Sequence, residues 1–304
     1  MPASAAVFCV GHAVQDFVFT LPAMPTRAEK YRANAFASVG GGPAATAAVT
    51  VAKLGGRAHL AARIGQDAVA KVMVAELQGY GVDCTHVNRF AGFQSSISAV
   101  MLDAAGERMI VNYLDPKLPM TAAWLPDQPP EGVSVMLADT RWPEGAERML
   151  ALAKRSGLKA VLDADVPVPK DGRLLGAATH VAFSAPGLAD YSGMTDLRAA
   201  IADVSRRIDA WSCVTMGGDG VAFAHRGQTG MVPAFAAKAV DTLGAGDVWH
   251  GAFALALAEG KPEIDAVRFA NGAAALKVER HGSRAGIPTR AELDAFLAQH
   301  GSKA

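Results

Sequence analysis

Short, continuous apolar runs are the strongest constraint on how this chain can fold. Ala6 to Val10, Ala58 to Ile64, Val133 to Ala138, Ala160 to Asp163, His180 to Phe183 and Cys213 to Met216 are such runs, many of them rich in Val and Ile. Each is followed by Gly, by Pro or by a stretch of helical spacing such as Val69 to Leu77 or Gly145 to Lys154. A strand without a polar face has to be covered on both sides, and strands separated by helices are joined by crossovers that run them parallel. The pattern predicts a doubly wound α/β fold, a mostly parallel central sheet between helical layers. The last third is mostly helical: Ala245 to Glu259, Pro262 to Val278 and Thr289 to Gln299 carry helical spacing, with Gly260-Lys261-Pro262 as a stop and restart.

Two segments break this rhythm. Residues 14–39 and 93–114 hold alternating stretches, Asp16-Phe17-Val18-Phe19, Ser96 to Met101 and Met109 to Tyr113, without intervening helices. Asp103-Ala104-Ala105-Gly106 reads as the turn of a hairpin between the last two. A small antiparallel sheet projecting from the main body is expected, serving as a lid or a dimerisation surface. Two such excursions are too small to be stable alone, so a homodimer joined partly through them is expected. The whole chain, 1–304, is read as one domain with this lid, formed by about 14–39 and 93–114.

Composition narrows the partners. With 51% hydrophobic and 19% charged residues the chain is globular rather than disordered. Lys plus Arg and Asp plus Glu both number 29, so no global field draws it to nucleic acid or to an anionic membrane. Cys9, Cys84 and Cys213 form no C-x-x-C pair and point away from a disulfide framework or structural zinc. Met1 to Phe8 lacks the basic start of a signal peptide, and no apolar run approaches the roughly 18 residues of a membrane span. The expectation is a cytoplasmic protein whose charged partners are recognised locally.

The sharpest local feature is Asp241-Thr242-Leu243-Gly244-Ala245-Gly246-Asp247, leading into the apolar helix Val248 to Ala258. Small residues at a helix start leave the first backbone N–H groups uncovered, and with the helix dipole these form a site for an anion such as a phosphoryl group in transit. Asp247 then reads in two ways that can coexist. It caps an orphan N–H, or it is a general base taking a proton from a hydroxyl as that oxygen attacks phosphorus.

The segment D-T-L-G-A-G-D-V-W-H-G-A-F-A resembles the C-terminal signature of the ribokinase-like, or PfkB, sugar kinases. Gly40-Gly41-Gly42-Pro43, with the helix to Leu54-Gly55, resembles their N-terminal glycine signature. The resemblance spans nearly the whole chain and implies an αβα core with a β lid, ATP as phosphoryl donor and Mg2+ as the metal. It makes Asp247 the base and the amides of Gly244, Ala245 and Gly246 the anion hole. It matches Asp16 to the sugar-hydroxyl ligand and Gly41 and Gly42 to the close-approach backbone. Thr215-Met216-Gly217-Gly218-Asp219-Gly220 resembles the family's nucleotide loop, implicating Thr215, Gly217 and Gly220. Two departures stand out. Thr46 occupies the place of a common sugar-binding Asn, keeping a hydroxyl and losing the amide. Ser184-Ala185-Pro186-Gly187 replaces the usual N-x-x-E element, so the metal-coordinating residues stay unassigned.

Other readings are weaker. Gly40, Gly42 and Ala45 fit G-x-G-x-x-A, but Ala61-Ala62-Arg63-Ile64 ends without the acid a dinucleotide ribose needs. No G-x-x-x-x-G-K-[ST] P-loop occurs. Within the family, G-G-G-P-A-A-T-A-A, V-L-A-D-T-R-W, V-L-D-A-D, A-F-S-A-P-G-L and the late R-A-G-I-P resemble the kinases that phosphorylate the 1-hydroxyl of 6-deoxy-6-sulfofructose. That resemblance places Lys30, Asn112 and Arg141 at the positions that hold the sulfonate. Arg141 has independent support, because it follows a core strand, where such sheets bind ligands, and its guanidinium is a planar fork suited to sulfonate or phosphate. Lys30 and Asn112 read, on residues alone, equally as solvated or turn-bonding groups. His250, one turn past Asp247, either faces the site or packs. The expected function is an ATP-dependent kinase of an anionic ketose, with a fructokinase or other PfkB-family kinase, or a catalytically silent sugar-binding relative, as alternatives.

Overall fold

The computed structural model describes residues 5–104 and 107–300. Positions 105 and 106 of the expected 103–106 turn, and residues 1–4, read above for a leader, lie outside the described residues. The strands are β1 (Ala6–Gly11), β2 (Val14–Thr20), β3 (Ala35–Gly41), β4 (Arg57–Gly65), β5 (Val82–Phe90), β6 (Ile97–Leu102), β7 (Arg108–Tyr113), β8 (Val133–Asp139), β9 (Lys159–Ala164), β10 (His180–Ser184), β11 (Trp211–Thr215), β12 (Val221–His225) and β13 (Gln228–Val232). The helices are α1 (Pro43–Lys53), α2 (Ala68–Gly79), α3 (Pro143–Arg155), α4 (Arg173–Ala177), α5 (Ala185–Ser192), α6 (Leu197–Arg207), α7 (Ala245–Ala258), α8 (Glu263–Val278) and α9 (Arg290–His300).

The large sheet has the order β13-β12-β11-β10-β9-β8-β1-β4-β5. It is parallel from β11 through β5, with β12 and β13 added antiparallel at one edge. Alternate residues of β1 show why it had to be apolar throughout. Val7 and Cys9 pack in one core with α1, α2, α7 and α8, while Phe8 and Val10 pack in the other with α3, α5 and α6. None of the helices among the described residues is long and apolar enough to cross a membrane.

The small sheet has the order β3-β2-β6-β7. Its outer pairs, β2 with β3 and β6 with β7, are antiparallel, as the alternating segments predicted, whereas the central pair β2 with β6 runs parallel. The reason lies in the core: β2 continues from β1 and β6 follows β5, and these two core strands already point the same way.

At the carboxyl ends of β1 and β8 the strand order reverses, which makes this the ligand-binding crevice of an open sheet. Asp139 joins the parts that meet there. Its buried carboxylate accepts the amides of His12 (2.8 Å), Ala44 (3.0 Å) and Arg141 (2.9 Å). It fills the space a Cβ on Gly11 would need, 2.2 Å from that position. Removing it would leave three buried or half-buried donors unpaired, each costing about 1–3 kcal/mol. Asp139→Ala is therefore expected to lower the free energy of unfolding by about 3 kcal/mol or more, read by urea denaturation. A loss within error would show that the three amides find other partners.

Candidate active site

The glycine-rich entry to α1 is shaped by close approach. Gly42 caps the helix at φ 94°, and a Cβ there would lie 2.5 Å from the His12 carbonyl oxygen. A Cβ on Gly41 would lie 2.3 Å from Asp16 Oδ2, so the glycine makes room for the carboxylate. Asp16 sits in β2 beside Ser98 in β6, and Ser98 sits beside Asn112 in β7. Asn112 Nδ2 donates to Ser98 Oγ at 2.9 Å. Burial pushes the Asp16 carboxyl up, opposed by its hydrogen bond with Ser98 and by the charge of Arg284. Cross-strand register thus sets Asp16, Ser98 and Asn112 in one polar row across the lid.

Arg284 was not foreseen, although it stands in the R-A-G-I-P block. Its Nη2 donates to the Gly41 carbonyl at 2.8 Å, and its guanidinium lies where a Cβ on Gly40 would clash. Arg63 was also missed. It is buried near the end of β4, donates to the Pro119 carbonyl at 3.0 Å and lies over the Trp142 ring. Burial first, then the charges of Arg141 and Arg63, lower His12 to about 4, so its imidazole is neutral at physiological pH. Arg141 lies at the carboxyl end of β8 with Nη2 3.1 Å from Asp165 Oδ2 and about a third of its side chain exposed. Lys30 is exposed in the connection between β2 and β3, and no contact ties it to Asn112 or Arg141 among the described residues. Thr46 is buried in α1, its methyl group turned toward Gly244, 3.7 Å from where a Cβ there would stand.

The start of α7 lies against α1, where Gly244 approaches Thr46. Gly244 caps it in the left-handed conformation at φ 73°, and nothing lies within 4 Å of where a Cβ on Gly246 would be. The Ala245 amide, expected in the anion hole, donates to the Thr242 carbonyl at 3.2 Å, because the chain turns tightly into the helix there. Gly244 and Gly246 are the positions with no side chain over their amides. Asp247 follows, half-buried in the first turn, without a capping bond from its side chain. Its carboxyl is pushed up to about 7, by burial first and then by Asp163, with Asp139 and Asp165 adding and His250 opposing. Burial, with Asp139 and Asp165, likewise holds the Asp163 carboxyl well above the usual carboxylate range.

His250 resolves as a packing residue that also anchors the turn. It is buried, with Nδ1 2.8 Å from the Gly246 carbonyl oxygen and Nε2 3.3 Å from that of Ala182. Asp163 Oδ1, without a hydrogen-bond partner among the described residues, is 3.4 Å from Nε2.

A cavity of about 670 Å³ opens beside the same turn. Thr215, Gly217 and Gly220 line it together with Thr242, Ala245 and Gly246, and Trp249 and Asn271 form part of its wall. Gly220 has φ 89°, and a Cβ there would lie 2.3 Å from the Val232 carbonyl oxygen, so the loop can close only on glycine. The Ser184 to Gly187 segment begins α5, the Ser184 hydroxyl accepting the Gly187 amide at 2.9 Å and donating to Asp165 Oδ1 at 2.6 Å. It carries no carboxylate, and no group of three His, Cys, Asp or Glu among the described residues is placed to hold a metal ion.

A polar row on the small sheet, a carboxyl of raised pKa at a helix start and a cavity beside the same turn form an arrangement that can serve phosphoryl transfer. The chain belongs to the pfkB family of carbohydrate kinases, whose model matches residues 4–290. It is 28% identical to the ribokinase of Bacillus subtilis over 95% of this chain and 98% of that protein. It is 27% identical to fructokinase-1 of Zea mays over 94% and 96%. Among solved structures, ribokinase of Arabidopsis thaliana complexed with ribose and ATP superposes with a TM-score of 0.83 at 25% identity, covering 97% of this chain and 99% of that one. A candidate ribokinase from Agrobacterium tumefaciens superposes with a TM-score of 0.94 at 32% identity, covering 99% and 100%. The protein is thus a carbohydrate kinase, an enzyme that transfers a phosphoryl group to an alcohol acceptor.

If Asp247 takes the acceptor proton, Asp247→Asn should lower kcat by about two to four orders of magnitude while nucleotide binding persists. The base works deprotonated, so kcat/KM should fall as pH drops through about 7. Asp163→Asn removes a neighbouring negative charge and should move that acidic limb to lower pH. Near-normal turnover by the Asp247→Asn variant in steady-state assays would show that Asp247 does not take the acceptor proton.

Proposed function

We propose that this kinase phosphorylates the 1-hydroxyl of 6-deoxy-6-sulfofructose, a ketose with a sulfonate at the end remote from the reacting oxygen. The observation carrying this reading is the guanidinium of Arg141, partly open at the carboxyl end of β8 and oriented by Asp165, close to the crevice where the strand order reverses. The Asp16, Ser98 and Asn112 row supplies acceptors and a donor for the sugar from the lid. Lys30, in the long lid connection, would reach the sulfonate only with the lid closed over it.

In this reading the lid row binds and orients the sugar so that its hydroxyl meets Asp247. Asp247 takes the hydroxyl proton as the oxygen forms its bond to the γ-phosphorus and the bond to the bridging oxygen of the leaving ADP breaks. The Gly244 and Gly246 amides face the charge that develops on the transferring group. Bound Mg2+ neutralises phosphate charge. The protein is placed in the cytoplasm, and two copies pair through their lids. On the outer strand β7, Met109, Val111 and Tyr113 are exposed on one face of the small sheet, and cross-strand register puts the exposed Phe36 of β3 on the same face, apolar residues of the kind that mark an interface.

A second reading, a ribokinase or fructokinase, is favoured by the names of the similar proteins and by the Arg141 to Asp165 ion pair, which gives Arg141 a partner without any sulfonate. The two separate on one variant. Stripping a buried anion of its fork donor costs about 2–5 kcal/mol. Arg141→Ala should therefore reduce kcat/KM for sulfofructose by about 30-fold or more and leave turnover of neutral fructose nearly unchanged. Equal losses on sulfofructose, fructose and ribose would return the assignment to the neutral sugars. Light scattering at micromolar concentration should give the mass of a dimer, and a monomer mass would remove the lid from the interface.

A further inference from the structure

The turn that presents the Gly244 and Gly246 amides is held from beneath by a lysine with no exposure to solvent. Lys277 lies in the last turn of α8 and ranks among the largest fully buried side chains of the molecule. A lysine is almost never fully buried unless its ammonium is paired. Here the partner is the residue that opens the turn. Lys277 Nζ donates to the backbone carbonyl of Asp241 at 3.1 Å and lies 3.5 Å from Asp241 Oδ2. Burial lowers the Lys277 pKa, and the Asp241 carboxylate opposes that shift.

The surrounding bonds show what this contact controls. The amides of Val240 and Asp241 both donate to the Val278 carbonyl, at 2.7 and 3.1 Å. Asp241 Oδ1 accepts the Leu243 amide at 2.9 Å and Oδ2 accepts the Gly282 amide at 3.1 Å. The carbonyl and carboxylate of one residue are thus gathered toward the end of α8, and two such oxygens repel each other unless a cation stands between them. In a planar trans peptide the N–H points opposite to the C=O. Pinning the Asp241 carbonyl on Lys277 therefore turns the next amide, that of Thr242, away from α8 toward the cavity that Thr242 and Gly246 line.

We infer that Lys277 is a positioning residue for phosphoryl transfer, a cation tethered in α8 that sets the orientation of the 241–246 turn and through it the amides that receive the transferring group. It touches neither sugar nor nucleotide phosphates by this account. It acts by holding Asp241. The inference rests on reading the start of α7 as the anion site.

The test replaces the tethered cation by a free one. Turnover is measured with saturating ATP and whichever of ribose, fructose and sulfofructose the wild-type protein uses fastest, in buffers containing tetramethylammonium chloride or ammonium chloride at equal ionic strength. Lys277→Ala opens a space bounded by the Asp241 oxygens. It should lower kcat by about 10²-fold, the scale of an ångström of misplacement, with the KM for sugar little changed, and ammonium should restore about tenfold of that loss where tetramethylammonium does not. The wild-type protein should respond alike to both salts. Lys277→Met keeps the stem and fills the space, so it should show the same loss without ammonium rescue.

Wild-type kcat in Lys277→Met would overturn the inference. So would a Lys277→Ala loss that ammonium leaves untouched in protein of wild-type circular dichroism and mass. Failure of both variants to fold in ammonium would assign the lysine to stability and overturn it as well. Turnover surviving in Asp247→Asn would instead defeat the reading of the turn itself, whatever Lys277 does.

Discussion

A buried carboxylate bonded to three backbone amides is the joint on which the rest of this structure depends. Asp139 connects the ends of β1 and β8 to the first turn of α1, and burying its charge is tolerable only because those amides replace water around it. Fixing α1 fixes what packs on it. Gly251 of α7 lets that helix approach so closely that a Cβ would lie 2.5 Å from the Ala47 carbonyl oxygen. The start of α7 is thereby set beside α1, with Gly244 near Thr46. The position of the Gly244 to Asp247 turn thus follows from a chain of backbone contacts that begins at one aspartate.

The same crevice concentrates acids. Asp139, Asp163, Asp165 and Asp247 lie close enough for their charges to act on one another, and burial sharpens each interaction. For stability this is unfavourable, and the fold offsets it with the Arg141 to Asp165 pair and with the amides on Asp139. For catalysis it is useful, because a carboxylate held near neutrality is a far better proton acceptor than one at its ordinary value. Burial and the crowding of acids thus hold the Asp247 carboxyl near neutrality.

Between the acceptor and nucleotide ends runs the segment that follows α8. Its Gly282 amide bonds Asp241, while its Arg284 guanidinium bonds the Gly41 carbonyl, and Lys53 of α1 donates to the carbonyls of Arg284 and Ala285. A few residues far along the chain thus brace both glycine-rich turns. This explains why Gly40 must lack a side chain, since the Arg284 guanidinium occupies that volume.

Much of the architecture was legible in the linear chain because it depends on local pattern. Uninterrupted apolar runs could only be strands covered on both faces, and the small residues before Val248 could only expose a helix start, so the sheet, the helical layers and the Gly244 to Asp247 turn followed from residue order. The edge strands β5 and β13, and β12 beside β13, were not recognised, since their mixed composition lacks that signal. What only the tertiary structure decided is which polar groups meet. Ser98 joins Asp16 to Asn112 through cross-strand register, Arg284 reaches Gly41 across 243 positions of sequence, and Lys277 is buried on Asp241 rather than solvated at a helix end. A serine, an arginine or a lysine looks the same in sequence whether it faces water or a buried carbonyl, because the partner that makes burial favourable is supplied by a distant element and exists only once the chain has folded.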